Sequence, residues 1–153
     1  MEERTIIGYD AKRIVRNSTG LGNYGRTLVN DLGALGEFDL RLYAPDEGLE
    51  HLRAQIVKRE HVSFCYPHHA LTSLGKALWR SSGIVRRLKK DGVDIYHGLT
   101  GELPRGIAKS GVRSVVTIHD LIFLRHPEYY NKSDVSIYTR KFRQALREAN
   151  RIV

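Results

Sequence analysis

The sequence predicts an α/β fold that is Rossmann-like, with a mostly parallel sheet and helices on both faces. Short apolar runs rich in β-branched residues recur along the chain, and stretches with helical spacing alternate with them. No internal repeat or Ser/Pro-rich linker divides the 153 residues. Strands that alternate with helices need right-handed crossovers, which places neighbouring strands parallel and leaves helices on each side.

Each element has its own justification. Thr5-Ile6-Ile7-Gly8-Tyr9 reads as the first strand and Asp10 ends it. Ala11 to Gly22 reads as a loop, after which Tyr24, Leu28, Leu32 and Leu35 form a helical stripe that Gly36 is placed to end. Residues 39–43 alternate polar and apolar and read as the second strand, with Pro45-Asp46 turning the chain away. Leu49, Leu52 and Ile56 permit a short helix, and Val62-Ser63-Phe64-Cys65 is a candidate third strand. Thr72 or Ser73 can cap a helix whose residues Leu74, Leu78, Val85 and Leu88 share a face, with Gly83 as a kink or break. Residues 93–97 and 114–118 are the fourth and fifth strands. Ser133 can cap a last helix carrying Val135, Tyr138, Phe142, Ala145, Leu146 and Ala149, and Arg151-Ile152-Val153 begins a sixth strand.

Composition bounds the function. With 41% hydrophobic residues the chain can bury one ordinary core, so residues 1–153 are expected to form a single domain. No apolar stretch approaches the roughly 20 residues that cross a bilayer. The start, Met1-Glu2-Glu3-Arg4, lacks the pattern of a secretory signal, so a cytoplasmic location is expected. Cys65 is the only cysteine and reads as a small buried hydrophobe. The net charge of +8 points to an anionic partner. The basic residues are dispersed, with no zinc-finger or RNP-like pattern, and argue against sequence-specific nucleic-acid binding. The basic helix from Ser73 to Lys90 reads first as a solvated face, with peripheral contact to an anionic membrane as the functional alternative.

Two stretches could carry chemistry. The fifth strand ends in His119-Asp120, and ligands of open α/β sheets bind beyond the carboxyl ends of strands. From the pair alone a turn-capping role comes first. His97 also ends a strand, so parallel neighbours would bring His97 and His119 to one sheet edge. Gly20-Leu21-Gly22-Asn23-Tyr24-Gly25 is a literal G-x-G-x-x-G, but about ten residues separate it from the first strand, whereas the dinucleotide fingerprint sits in the turn directly after it. The stretch is therefore read as an extended flap whose N–H groups can meet a phosphate or hydroxyl, weighed evenly against glycines needed only for backbone shape. The histidine spacing supports no metal site, and no cofactor is expected.

Asp10 with Gly20 to Arg26, Asp94-Ile95-Tyr96-His97-Gly98, Val115 to Leu121, and Ala145 to Val153 occur in the order seen in a known family. The chain resembles the N-terminal half of retaining, nucleotide-sugar-dependent glycosyltransferases of the mannosyltransferase type, glycosyltransferase family 4-like, which have the two-domain GT-B architecture. The resemblance implies an acceptor-side domain serving transfer of mannose or glucose from a nucleotide sugar to a glycan or lipid-linked acceptor in polysaccharide biosynthesis. It implies that His119 reaches the transferring sugar and is the catalytic residue. It makes Gly20 and Gly22 part of a loop over the donor diphosphate and His97 part of the cleft floor, and Asn23, Tyr24 and Asp120 are counted with them as candidate substrate-binding residues. The donor-binding domain, with its pair of glutamates and basic pair, would lie beyond Val153. The chain is expected to be truncated, inactive alone, and prone to self-association through an unfinished sheet. Two other readings stand beside this one: a nucleotide-binding oxidoreductase domain, and a non-enzymatic basic module on an anionic membrane or nucleic acid.

Overall fold

The computed structural model describes residues 4–69 and 72–153. The residues at the start that were read for a leader, 1–3, lie outside these. Six strands, β1 (Thr5–Asp10), β2 (Phe38–Tyr43), β3 (Val62–Cys65), β4 (Ile95–Gly98), β5 (Arg113–Val116) and β6 (Arg151–Ile152), form one sheet in the order β3-β2-β1-β4-β5-β6. Every neighbouring pair is parallel, so the fold is α/β and Rossmann-like, as the alternation predicts. The chain winds outward from β1 to β3, returns, and winds the other way from β4 to β6. The switch point, where such sheets open a crevice, therefore lies between the ends of β1 and β4.

The helices sort into two layers. On one face α1 (Lys12–Arg16) and α2 (Gly20–Leu35) pack Ile14, Val15 and Val29 against Ile7, Tyr9, Leu40 and Leu42, with α3 (Glu50–Arg53) beside them. On the other, α4 (Ser73–Leu78), a π-helical turn (Trp79–Gly83), α5 (Ile84–Lys90) and α7 (Lys132–Glu148) flank the sheet, where Ile84, Leu88 and Ala145 join Tyr43, Tyr96 and Val116. The short α6 (Ile122–Arg125) leads from β5 into α7.

Several expectations are corrected. The segment from Ala11 to Gly22 is not a flap: it contains α1, and α2 begins at Gly20. The Asn17 side chain organises this start by accepting the N–H groups of Thr19 and Gly22, each at 3.0 Å. Gly22 is needed for close approach, since a Cβ there would meet the Asn17 carbonyl oxygen at 1.8 Å. Gly36, at φ +70°, ends α2 in the left-handed conformation as expected. Thr72 caps α4 by accepting from the Gly75 N–H. The π turn then changes the phase of the helical stripe: Ile84 and Leu88 are buried while Leu74 and Leu78 face solvent, so the single apolar face does not form. Asn131, not Ser133, precedes α7, and no side chain caps it. Beyond Val116 the fifth strand continues only through single bonds, from Thr117 N–H to Gly98 and from Ile118 N–H to Val153.

Candidate functional site

The register of β4 on β5 pairs His97 with Val115, so Thr117, two residues on, lies just beyond the pair on the same face of the sheet. His97 Nε2 and the Thr117 hydroxyl lie 2.8 Å apart, and the Thr117 hydroxyl is 3.2 Å from that of Tyr24 on α2. Burial pushes the His97 pKa down to about 4, and its ring lies 5.7 Å from that of Tyr9. At neutral pH His97 is an uncharged member of a chain of hydroxyl and imidazole groups that ties α2 to the sheet.

His119 stands outside that chain but touches it. The Tyr24 ring packs edge-on against the imidazole with centroids 4.9 Å apart. His119 Nε2 lies 2.8 Å from the Leu99 carbonyl. A carbonyl only accepts, so Nε2 carries the hydrogen and Nδ1 is the ring nitrogen left to meet a ligand. His119 and Asp120 are exposed on a cleft of about 330 Å³. Leu21, Phe123, Tyr138 and Phe142 supply apolar walls, while Arg13, Glu102 and Lys141 supply charge. Asp120 accepts the Ile122 N–H at 3.1 Å and so shapes the turn into α6, the bland role the sequence allowed.

The glycine stretch is reassigned by the geometry. Asn23 Oδ1 accepts from Arg26 Nη2 at 2.6 Å, and Arg26, 3% exposed, also donates to the carbonyls of Ile14 and Asn17. Asn23 and Gly22 thus lock α1 onto α2. Gly20 is exposed in the first turn of α2 and Tyr24 is the residue that reaches the site. The structure brings His97, His119 and Tyr24 together at one rim, while Gly20, Gly22 and Asn23 build the helix that holds Tyr24.

A second cluster was missed. Arg80, in the π turn, donates to Asp10 at the end of β1 at 2.6 Å and lies 3.5 Å from Glu102, which Lys141 meets at 2.9 Å. Burial alone would lower the Arg80 pKa, but the adjacent Asp10 outweighs it and the guanidinium stays charged. These residues come from four separate segments, and their only signal in the sequence was Asp10 at a strand end. Lys76 pairs with Asp46 and Arg87 with Asp91, so three of the six cations on the predicted basic helix are neutralised within the protein. That weakens the expected electrostatic attraction of this helix to a membrane.

No helix among the described residues is long and apolar enough to cross a membrane. Comparison with curated proteins and with solved structures returns no match. Residues 18–153 match the model of Glycosyltransferase Family 4, and the chain belongs to that family.

Proposed function

We propose that the chain is the acceptor-side half of a retaining GT-B glycosyltransferase that moves a hexose, mannose or glucose, from a nucleotide sugar to a glycan or lipid-linked acceptor. The observation that carries this reading is the fixed tautomer of His119 on an open cleft. With Nε2–H committed to Leu99, Nδ1 accepts a hydrogen bond from a hydroxyl of the transferring sugar. Retention requires the diphosphate to leave from the face near which the acceptor arrives, while charge builds on an oxocarbenium-like ring. A preorganised imidazole orients that ring without reorganising during the reaction. The first turn of the 16-residue α2 supplies N–H groups and a positive dipole end toward a diphosphate, a helical replacement for the expected flap.

The nucleotide sugar is held by a second domain facing this rim. A half-cleft neither excludes water nor positions both substrates, so no turnover is expected without a donor-binding half. The test is transfer from a nucleotide hexose by the chain complemented with such a half, with NMR of the product's anomeric proton. An α-linked donor giving an α-linked product supports the reading. Inversion removes the retaining assignment, and saturable binding of a nicotinamide cofactor without sugar transfer would favour the oxidoreductase alternative.

A further inference from the structure

The sheet has two edges, and the one formed by β3 lies at the opposite end from β6. Leu40 donates to the His61 carbonyl at 2.7 Å and Ala44 to that of Cys65 at 3.0 Å, so residues 61, 63 and 65 turn their backbone groups toward β2. Val62 and Phe64 turn theirs outward. The Val62 N–H is taken by the Arg59 carbonyl at 3.1 Å, which leaves the Val62 carbonyl and both backbone groups of Phe64 without a partner among the described residues.

Beside this edge runs an open groove of about 710 Å³, with Ile56, Val57, Val62 and Phe64 as its apolar lining. Asn30 on α2 donates to the Gln55 carbonyl and accepts the Val57 N–H, and His61 Nε2 lies 2.8 Å from the Gly33 carbonyl. The groove wall is thereby fastened to α2 before anything binds. Its charges are uncompensated. Lys58 and Arg59 line the groove without an ion pair among the described residues, and Arg59 Nη1 is buried with no hydrogen-bond partner. Arg53 has Glu47 as its partner, so Glu50, the one carboxylate of the lining, stands against two cations. On the other face of the sheet Arg41 pairs in register with Ser63, and its Nε is likewise buried without a partner. Buried polar atoms of this kind are costly unless something else answers them. Ser63 is small and exposed, so nothing bulky stands between Arg41 and the open edge.

An extended chain laid along β3 meets all of these groups together. Its backbone donates to the free carbonyls and accepts from the Phe64 N–H, while its side chains alternate between the groove and the Arg41 face. Acidic side chains answer Lys58 and Arg59 on one face and Arg41 on the other, and an aliphatic one between them fills the apolar lining. A second copy of the chain is a poor fit, because two β3 edges in contact would set Arg41, Lys58 and Arg59 against their own equivalents. We propose that β3 is a docking edge for an acidic, extended segment of a partner protein, which joins the sheet as an added strand. The transferase reading plays no part in this assignment.

The probe is a blocked Glu-Glu-Val-Glu-Glu peptide titrated into the chain, with binding read by calorimetry and by amide hydrogen exchange. Its lysine counterpart, and the same acidic peptide with methylated backbone nitrogens, serve as controls. The acidic peptide should bind about tenfold or more tightly than either control and, at saturation, slow exchange of the Phe64 N–H by a similar factor. Arg41→Gln and Arg59→Gln should each weaken binding by about 3- to 10-fold. Lys58→Glu, at an exposed position where folding is not at stake, should weaken it by about tenfold. Equal binding of the methylated peptide, or binding that leaves Phe64 exchange unchanged, would overturn strand addition. Full affinity in both Lys58→Glu and Arg59→Gln would overturn the acidic specificity. Phe64 exchange that slows with protein concentration alone would give the edge to a second copy and overturn the proposal as well.

Discussion

The two stretches of chain on either side of His119 are held in opposite ways. Up to Thr117 the strands and α1, α2 and α5 bury Tyr9, Ile14, Leu40, Leu42, Leu88 and Leu99 at 2% exposure or less. Beyond Asp120 the one buried hydrophobic residue among those described is Ala145. Leu121, Ile122, Leu124, Tyr129, Ile137, Tyr138 and Leu146 all face solvent. Burial of apolar surface is the main stabilising term in folding, so the first stretch carries the stability. The second forms one wall of the His119 cleft at little energetic cost to the fold. Scaffold and site wall are therefore separable by mutation.

The largest expected effect sharpens that contrast. Leu40→Ala, fully buried, should cost about 2–5 kcal/mol in urea unfolding, whereas Tyr129→Ser, 71% exposed, should stay within about 0.5 kcal/mol. Equal losses would dissolve the division. Next is Arg80→Met, which leaves Asp10 buried without its partner and should cost about 3 kcal/mol. An unchanged midpoint would mean that water already screens the pair.

The pH response comes third. The folded His97 pKa of about 4 lies below the usual 6.5, so the unfolded chain binds more protons between those values. This residue's contribution is therefore intact above pH 6.5, declines as pH falls toward 4, and is constant below. His97→Gln should flatten that part of the stability profile, and an unaltered slope would show that His97 is already hydrated. The smallest expected effect concerns β6, where Ile152 and Val153 are 55% and 69% exposed at the sheet edge. Light scattering should show weak self-association rising with concentration. A strict monomer at high concentration counts against it.

What the sequence revealed, and what it hid, follows the range of the interactions. Strands β1 to β5 were legible because apolar, β-branched runs are local signals, and β3 was read to the residue. His97 was legible as a strand-end residue, whereas His119 was read as the end of the fifth strand and stands three residues beyond it, since that strand stops at Val116. The five-residue α1 was not, because its hold depends on Arg26 reaching back twelve residues to Ile14. The π turn was hidden because one extra residue per turn leaves composition unchanged while it rotates Leu74 and Leu78 outward. Thr117 became visible only through the β4–β5 register, and Arg80 only through a contact seventy residues distant.

The central claim is that His119 acts on the transferring sugar while the half-buried His97, bonded to Thr117, supports the rim. The direct measurement is donor-dependent transfer by His119→Ala and His97→Ala in the complemented protein, alongside their melting curves. Loss of one preorganised contact predicts a fall in kcat/KM of about 10²-fold or more for His119→Ala with little change in melting temperature, and a smaller fall for His97→Ala. Near-normal turnover by His119→Ala, or a loss that merely follows a collapse in melting temperature, would contradict the account and make His119 a structural residue.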